Sequence, residues 1–195
     1  MKYRFFFVFL LSQFLYSQQF RNINNTSDLG VYNNNNGVAV ADYDKDGDLD
    51  LFIVSAHSND NEDSWSRLLE NTNNGNFIDV TENSGISQSL DHEINLINYD
   101  IYGNQIYDVI EQGDRLSASW GDFNNDGFPD LFLGNAVQSE LYKNNGNGTF
   151  SNITDSAGFE IYCENCYITG ALWLDYDLDG YLDIFLADYN SNSPN

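Results

Sequence analysis

One pattern occurs three times and limits the possible folds more than any other feature of the chain. It reads Asp42-Tyr43-Asp44-Lys45-Asp46-Gly47-Asp48-Leu49-Asp50, then Asp122-Phe123-Asn124-Asn125-Asp126-Gly127-Phe128-Pro129-Asp130, then Asp175-Tyr176-Asp177-Leu178-Asp179-Gly180-Tyr181-Leu182-Asp183. Oxygen-bearing side chains stand at positions 1, 3, 5 and 9, and glycine stands at position 6. A hard cation takes six to eight oxygens, and alternate residues of a tight loop can aim theirs at one point. The glycine permits a turn that a Cβ would resist. Position 7 (Asp48, Phe128, Tyr181) can offer its backbone carbonyl. The expected metal ligands are therefore Asp42, Asp44, Asp46, Asp48 and Asp50; Asp122, Asn124, Asp126, Phe128 and Asp130; and Asp175, Asp177, Asp179, Tyr181 and Asp183. Up to three Ca2+ ions are expected, with the Asp122 loop the weakest because Asn124 replaces a carboxylate.

The flanking residues exclude an EF-hand, which ends in a bidentate Glu at position 12 between helices. Position 12 here is Ile53, Leu133 or Leu186. Leu51-Phe52-Ile53-Val54, Leu131-Phe132-Leu133 and Ile184-Phe185-Leu186 are short apolar runs of strand character. Val38-Ala39-Val40-Ala41, Ala118-Ser119-Trp120 and Ala171-Leu172-Trp173-Leu174 lead into the loops in the same way. The unit is strand, cation loop, strand. An acidic hairpin turn without an ion is the competing reading, against which stands the repulsion of so many close carboxylates.

These units resemble FG-GAP/VCBS-type repeats, the blades of propellers similar to the integrin alpha-chain head. The second half of that repeat resembles Leu68-Leu69-Glu70-Asn71-Thr72-Asn73-Asn74-Gly75-Asn76-Phe77-Ile78-Asp79-Val80-Thr81 and Leu141-Tyr142-Lys143-Asn144-Asn145-Gly146-Asn147-Gly148-Thr149-Phe150-Ser151-Asn152-Ile153-Thr154, closed by Gly85-Ile86 and Gly158-Phe159. The resemblance implies an all-β fold of calcium-bearing blades. It covers two full repeats, 37–86 and 118–159, and half of a third, 160–188. Closed propellers use four to eight blades, so the expectation is an incomplete β-propeller, with a fragment of a seven-bladed one among the readings. An open stack that assembles with other copies through exposed repeat edges is an alternative, because repeats need neighbours to cover their apolar faces.

Residues 1–17 read as a signal peptide: Lys2 and Arg4 precede an apolar core too short for a comfortable membrane span. Residues 18–36 are a polar, asparagine-rich lead-in to the repeat region, 37–195. The cation loops start 80 and then 53 residues apart, so the first interval holds an insertion, mostly at 87–117. Within it Ile94–Tyr99 and Gln105–Ile110 suit a hairpin around Gly103-Asn104. A decorated loop on a repeat scaffold is a natural place for ligand contacts. Cys163 and Cys166 have the spacing of half a zinc site or a redox pair, but no second ligand pair accompanies them. In an exported protein a local disulfide is the favoured reading, and two free thiols remain the alternative.

The net charge of −23 argues against nucleic-acid binding, which needs basic residues at phosphates. Apart from the leader, no apolar stretch is long enough to span a membrane, so the mature chain carries no expected transmembrane segment. No nucleophile elbow, phosphate loop or His-Glu-x-x-His motif occurs. The expected function is a non-catalytic, secreted or cell-surface calcium-binding module of bacterial type, whose partner is an extracellular protein or glycan. The alternatives are an accessory targeting domain of a larger secreted protein and, less favoured, a polysaccharide hydrolase.

Overall fold

The computed structural model describes residues 35–55, 66–72, 76–86, 95–99, 105–109, 115–136, 138–158 and 167–189. Among them the chain is predominantly β-sheet, in small antiparallel sheets that repeat. Strands β1 (Asn35–Ala41), β2 (Asp50–Ser55), β3 (Arg67–Asn71) and β4 (Phe77–Asp79) form the first sheet in that order. The short helix α1 (Thr81–Ser84) follows. Strands β5 (Asn95–Tyr99) and β6 (Gln105–Val109) pair as a separate hairpin where the sequence suggested one. Strands β7 (Arg115–Gly121), β8 (Asp130–Asn135), β9 (Glu140–Asn144) and β10 (Phe150–Asn152) repeat the four-stranded meander. Strands β11 (Ile168–Leu174) and β12 (Asp183–Asp188) repeat its first two strands.

The three loop-bearing hairpins share one register. Ala41 pairs with Asp50, Gly121 with Asp130 and Leu174 with Asp183. Each first strand also bulges at the same place, leaving Asn36, Leu116 and Thr169 as the extra residue. A bulge adds local twist and re-aims the strand, so its recurrence at offsets of 80 and 53 residues marks the repeat independently of the loops.

First strands sit against first strands: β7 packs on β1 on one side and on β11 on the other. Between the first two sheets lies the larger core, with Phe52, Val54 and Leu68 from one and Leu131, Leu133, Tyr142 and Phe150 from the other, joined by Trp120. Between the second sheet and the third hairpin, Phe132 and Leu141 meet Ile168, Trp173, Ile184 and Leu186. The two junctions are built alike. Tyr43 stacks on Trp120 with centroids 6.4 Å apart at 16°, and Phe123 stacks on Trp173 at 6.3 Å and 16°. A Cβ on Gly121 would lie 2.5 Å from Cγ of Trp173, so glycine is what lets that ring lie flat on β7.

The second-half motif has a structural explanation. The hydroxyls of Thr81 and Thr154 accept the N–H groups of Leu68 and Leu141, both at 2.9 Å, and donate to Asp79 and Asn152. Gly85 caps α1 at φ 77°, where a Cβ would meet the Phe150 carbonyl oxygen at 2.6 Å. That glycine therefore serves both a left-handed cap and a close approach between sheets.

One expectation is corrected. Among the described residues there is no cysteine pair at disulfide distance, the separation that such a bond requires, so the Cys163–Cys166 disulfide is withdrawn. Both cysteines lie outside the described residues, as do the leader at 1–17, the lead-in at 18–34 and most of the insertion.

Candidate metal centre

Each cation loop is shaped by its own backbone. Positions 4 and 6 are left-handed in all three: Lys45 (φ 65°) and Gly47 (98°), Asn125 (59°) and Gly127 (91°), Leu178 (63°) and Gly180 (92°). A non-glycine residue in this region costs roughly 1–2 kcal/mol, and here the surrounding hydrogen bonds offset it. The position-1 carboxylate accepts the N–H of the position-6 glycine: Asp42 from Gly47 at 3.2 Å, Asp122 from Gly127 at 2.8 Å, Asp175 from Gly180 at 3.0 Å. Position 3 accepts from position 5, and position 5 from position 7, in every loop. These Asx-type bonds curl the chain round a common point.

Carboxylate oxygens of Asp42, Asp44 and Asp50 lie within 4.8 Å of one another, and so do those of Asp175, Asp177 and Asp183. Positions 1, 3 and 9 thus converge in the first and third loops. The middle loop carries the Asn124 amide at position 3, and that amide donates to Asp130 at 3.3 Å. Asp46 and Asp179 lie outside the tight groups, their Oδ1 atoms accepting the N–H groups of Asp48 and Tyr181. Asp126 uses its Oδ1 on Phe128 in the same way. Those bonds hold position 7, whose carbonyl was the expected ligand.

The residues fit a cation by a test independent of spacing. Oδ1 of Asp42 is buried and has no hydrogen-bond partner, and the same is true of Oδ2 of Asp48. A buried carboxylate oxygen left unpaired is costly unless a cation or donor meets it. The position-9 carboxylates show the strain of the bare loops. Burial, with Asp44 and Asp46 alongside, pushes the Asp50 carboxyl up to about 6 against the N–H groups of Asn71 and Tyr43. Burial does the same to Asp130, with Asp126 and Asp122 adding to it, again to about 6. A divalent ion reverses this balance by favouring the charged form.

Position 9 has a second task that its ligand role did not reveal. Asp50 accepts from Tyr43 N at 3.1 Å and from Asn71 N at 2.9 Å, tying the loop to the third strand. Asp130 accepts from Phe123 N at 3.2 Å and Asn144 N at 2.8 Å. Asp183 accepts from Tyr176 N at 2.9 Å and is exposed. The loops also touch in a row. Lys45 lies over the Phe128 ring at 5.1 Å, the Asn125 amide donates to the Gly180 carbonyl at 2.8 Å, and the Asn144 amide donates to Tyr43 O and Pro129 O.

A buried ion pair that the sequence pattern did not signal locks the opposite end of the second sheet. Arg115 donates through Nε and Nη2 to Glu140, and the Tyr142 hydroxyl and Asn135 amide also donate to that carboxylate. Glu140 occupies the place that Arg67 holds in the first sheet, so comparison of the two repeats was the one available clue.

Among known families, the FG-GAP-like repeat matches residues 122–186, from the second cation loop through the third. No curated protein matches the chain. The matched segment is similar to a single FG-GAP-like repeat, and it contains two of the three loops described above.

Proposed function

We propose that this chain is an extracellular calcium-binding repeat module, its sheets the blades of an incomplete β-propeller, which presents a non-catalytic binding or adhesion surface. The observation that carries the reading is the convergence of three carboxylates in the first loop around a buried, unpartnered Asp42 oxygen, in a geometry the third loop reproduces. The all-oxygen donor set suits calcium over magnesium, which demands a tighter octahedron. The backbone conformation shared by the three loops supports the reading of three ions, one per loop. The match to an FG-GAP-like repeat supports the blade reading, and the leader-like residues 1–17 support export. Among the described residues no helix is long and apolar enough to cross a membrane.

Calorimetric titration of the mature protein with calcium and with magnesium is the test. Saturable calcium binding at three sites per chain, with magnesium much weaker, is expected; no binding heat with either ion rejects the proposal. A glycan and protein-ligand array run in calcium and in EDTA then examines the adhesive role. N-terminal sequencing of protein from culture supernatant examines export, with a start near Ser17 to Gln19 expected.

A further inference from the structure

Each repeat has two faces, and the chain itself shows what covers each. The back face of the first sheet (Ala39, Tyr43, Phe52) is covered by the front face of the second (Ala118, Trp120, Leu131, Leu133). The back of the second (Ser119, Phe123, Phe132) is covered by the front of the third hairpin (Ala171, Trp173, Ile184, Leu186). Among the described residues two faces are left over. The back of the third hairpin presents Leu172 at 60%, Tyr176 at 82% and Phe185 at 66% exposure, whereas Phe132, the counterpart of Phe185, is at 0%. The front of the first sheet presents Val38 at 59% and Val40 at 48%, where the second and third repeats carry covered Ala and Trp.

The leftover faces differ from the internal ones in a complementary way. Inside the chain a large front residue meets a small back: Trp173 lies against Ser119 and Gly121, and its indole N–H donates to Ser119 O at 3.4 Å. In the third hairpin those two back positions carry the larger Leu172 and Leu174. In the first sheet the Trp position is Val40. Large has moved to the back and small to the front, and the floor beside Val38 is an open depression lined by Asn35, Asn36, Gly37 and Ile53.

We propose that the occupant of each leftover face is a second copy of this chain, the front of its first sheet seated on the back of the third hairpin, Val40 against Leu172 and Leu174, Val38 against Phe185. This goes beyond calcium binding and does not depend on it. The contact is heterologous, using a different patch on each copy, so it either closes on itself or continues as a row. Charged or polar partners are disfavoured by the apolar character of both patches.

Sedimentation equilibrium of the mature chain in calcium and in EDTA tests the proposal. A mass of at least twice the chain is expected. Val40→Asp and Phe185→Asp, both at exposed positions, should each disrupt assembly by itself while the circular dichroism spectrum is unchanged. Mixing the two variants should restore a one-to-one pair, because each retains the face that the other has lost. Val40→Trp should also dissociate the assembly, and adding Leu172→Ser with Leu174→Gly to the same chain should restore it. A monomeric wild type at micromolar concentration overturns the proposal. So does a Val40→Asp variant that assembles as the wild type does, which would place the contact elsewhere.

Discussion

The second and third repeats carry the same loop in different company. From Asp122 to Asp130 and from Asp175 to Asp183 the two loops match in left-handed residues, in Asx bonds and in strand register. Yet Asp130 is fully buried and Asp183 is exposed. The difference is the third strand. In the second repeat Asn144 gives Asp130 its backbone N–H and closes over it; the described residues place no such strand beside β12. Loop shape is therefore a property of the hairpin, and loop burial is a property of the sheet. Ion affinity should depend on both, because a buried carboxylate cage is both more costly when empty and less screened when filled.

The largest effect that separates these two terms is removal of the ion. An ion that binds only the folded loop at 100 times its Kd contributes about 2.7 kcal/mol by mass action, and in a domain of this size each kcal/mol moves Tm by about 2–4 °C. Thermal unfolding in EDTA should therefore fall by about 5 °C or more for each site lost, with magnesium restoring little. Hydrogen exchange in EDTA should open the β11–β12 hairpin first, since fewer buried contacts hold it. Equal loss of protection in both repeats would show that burial does not distinguish them.

Next in size is the pair Asp130→Ala and Asp183→Ala. The first leaves the N–H groups of Phe123 and Asn144 unpaired, one of them buried, at about 1–3 kcal/mol for each group that stays dry. The second frees a single exposed N–H and should cost less than about 1 kcal/mol. Both changes should remove one calcium site in a titration. Denaturant unfolding in EDTA, where the ions no longer contribute, isolates the structural difference. Equal destabilisation there would break the comparison.

The first repeat adds a pH-dependent contrast. Asp79 is pushed up by burial, but the Thr81 hydroxyl, Arg67 and the Thr81 N–H together hold it below the usual carboxylate range. Its contribution is therefore complete above the unfolded value of about 3.9 and is lost as pH falls through the lower folded value. The second repeat has Asn152 in this place, which does not titrate. In EDTA, wild type should be more stable than Asp79→Asn at pH 7, and the gap should shrink as pH falls below about 4. A gap that is constant with pH would assign the effect to geometry alone. Because the Arg67–Asp79 pair is partly exposed, the expected difference is at most about 1 kcal/mol.

What the sequence disclosed follows the same division between local and assembled structure. The 1-3-5-9 spacing with glycine at 6 located every loop, and apolar runs on both sides located the paired strands, because a hairpin turn is written in adjacent residues. The β5–β6 hairpin was legible for the same reason. The bulges at Asn36, Leu116 and Thr169 were not, since a single extra residue leaves the apolar alternation readable in either register. Helix α1 was missed because four residues are too few to show a period, although Gly85 marked its end. Asp130 and Asp183 look alike in sequence, because their burial is decided by a strand outside the loop. The Arg115–Glu140 pair was hidden because its members lie on different strands, 25 residues apart.

The smallest expected effect examines whether the loops act singly or as a row. Asn125 stands at position 4 of the second loop and donates to the Gly180 carbonyl in the third, and Lys45 makes the corresponding reach from the first loop to Phe128. Position 4 is left-handed, and asparagine tolerates that region better than leucine or lysine. Asn125→Gly keeps the backbone conformation and removes the bond. As the bond is exposed, its loss should cost only about 0.5 kcal/mol in global stability. Its proper readout is coupling: Gly180 is the left-handed turn residue of the third loop, and the bond ties that turn to the second loop. In wild type, filling the second site should raise the calcium affinity of the third, and Asn125→Gly should make the two bind independently. Lys45→Ala should do likewise for the first and second sites, losing about 0.5–1 kcal/mol of cation–π attraction. Calcium isotherms of the wild type and both variants provide the measurement. Identical isotherms would show that three equal loops, though in contact, fill without reference to one another.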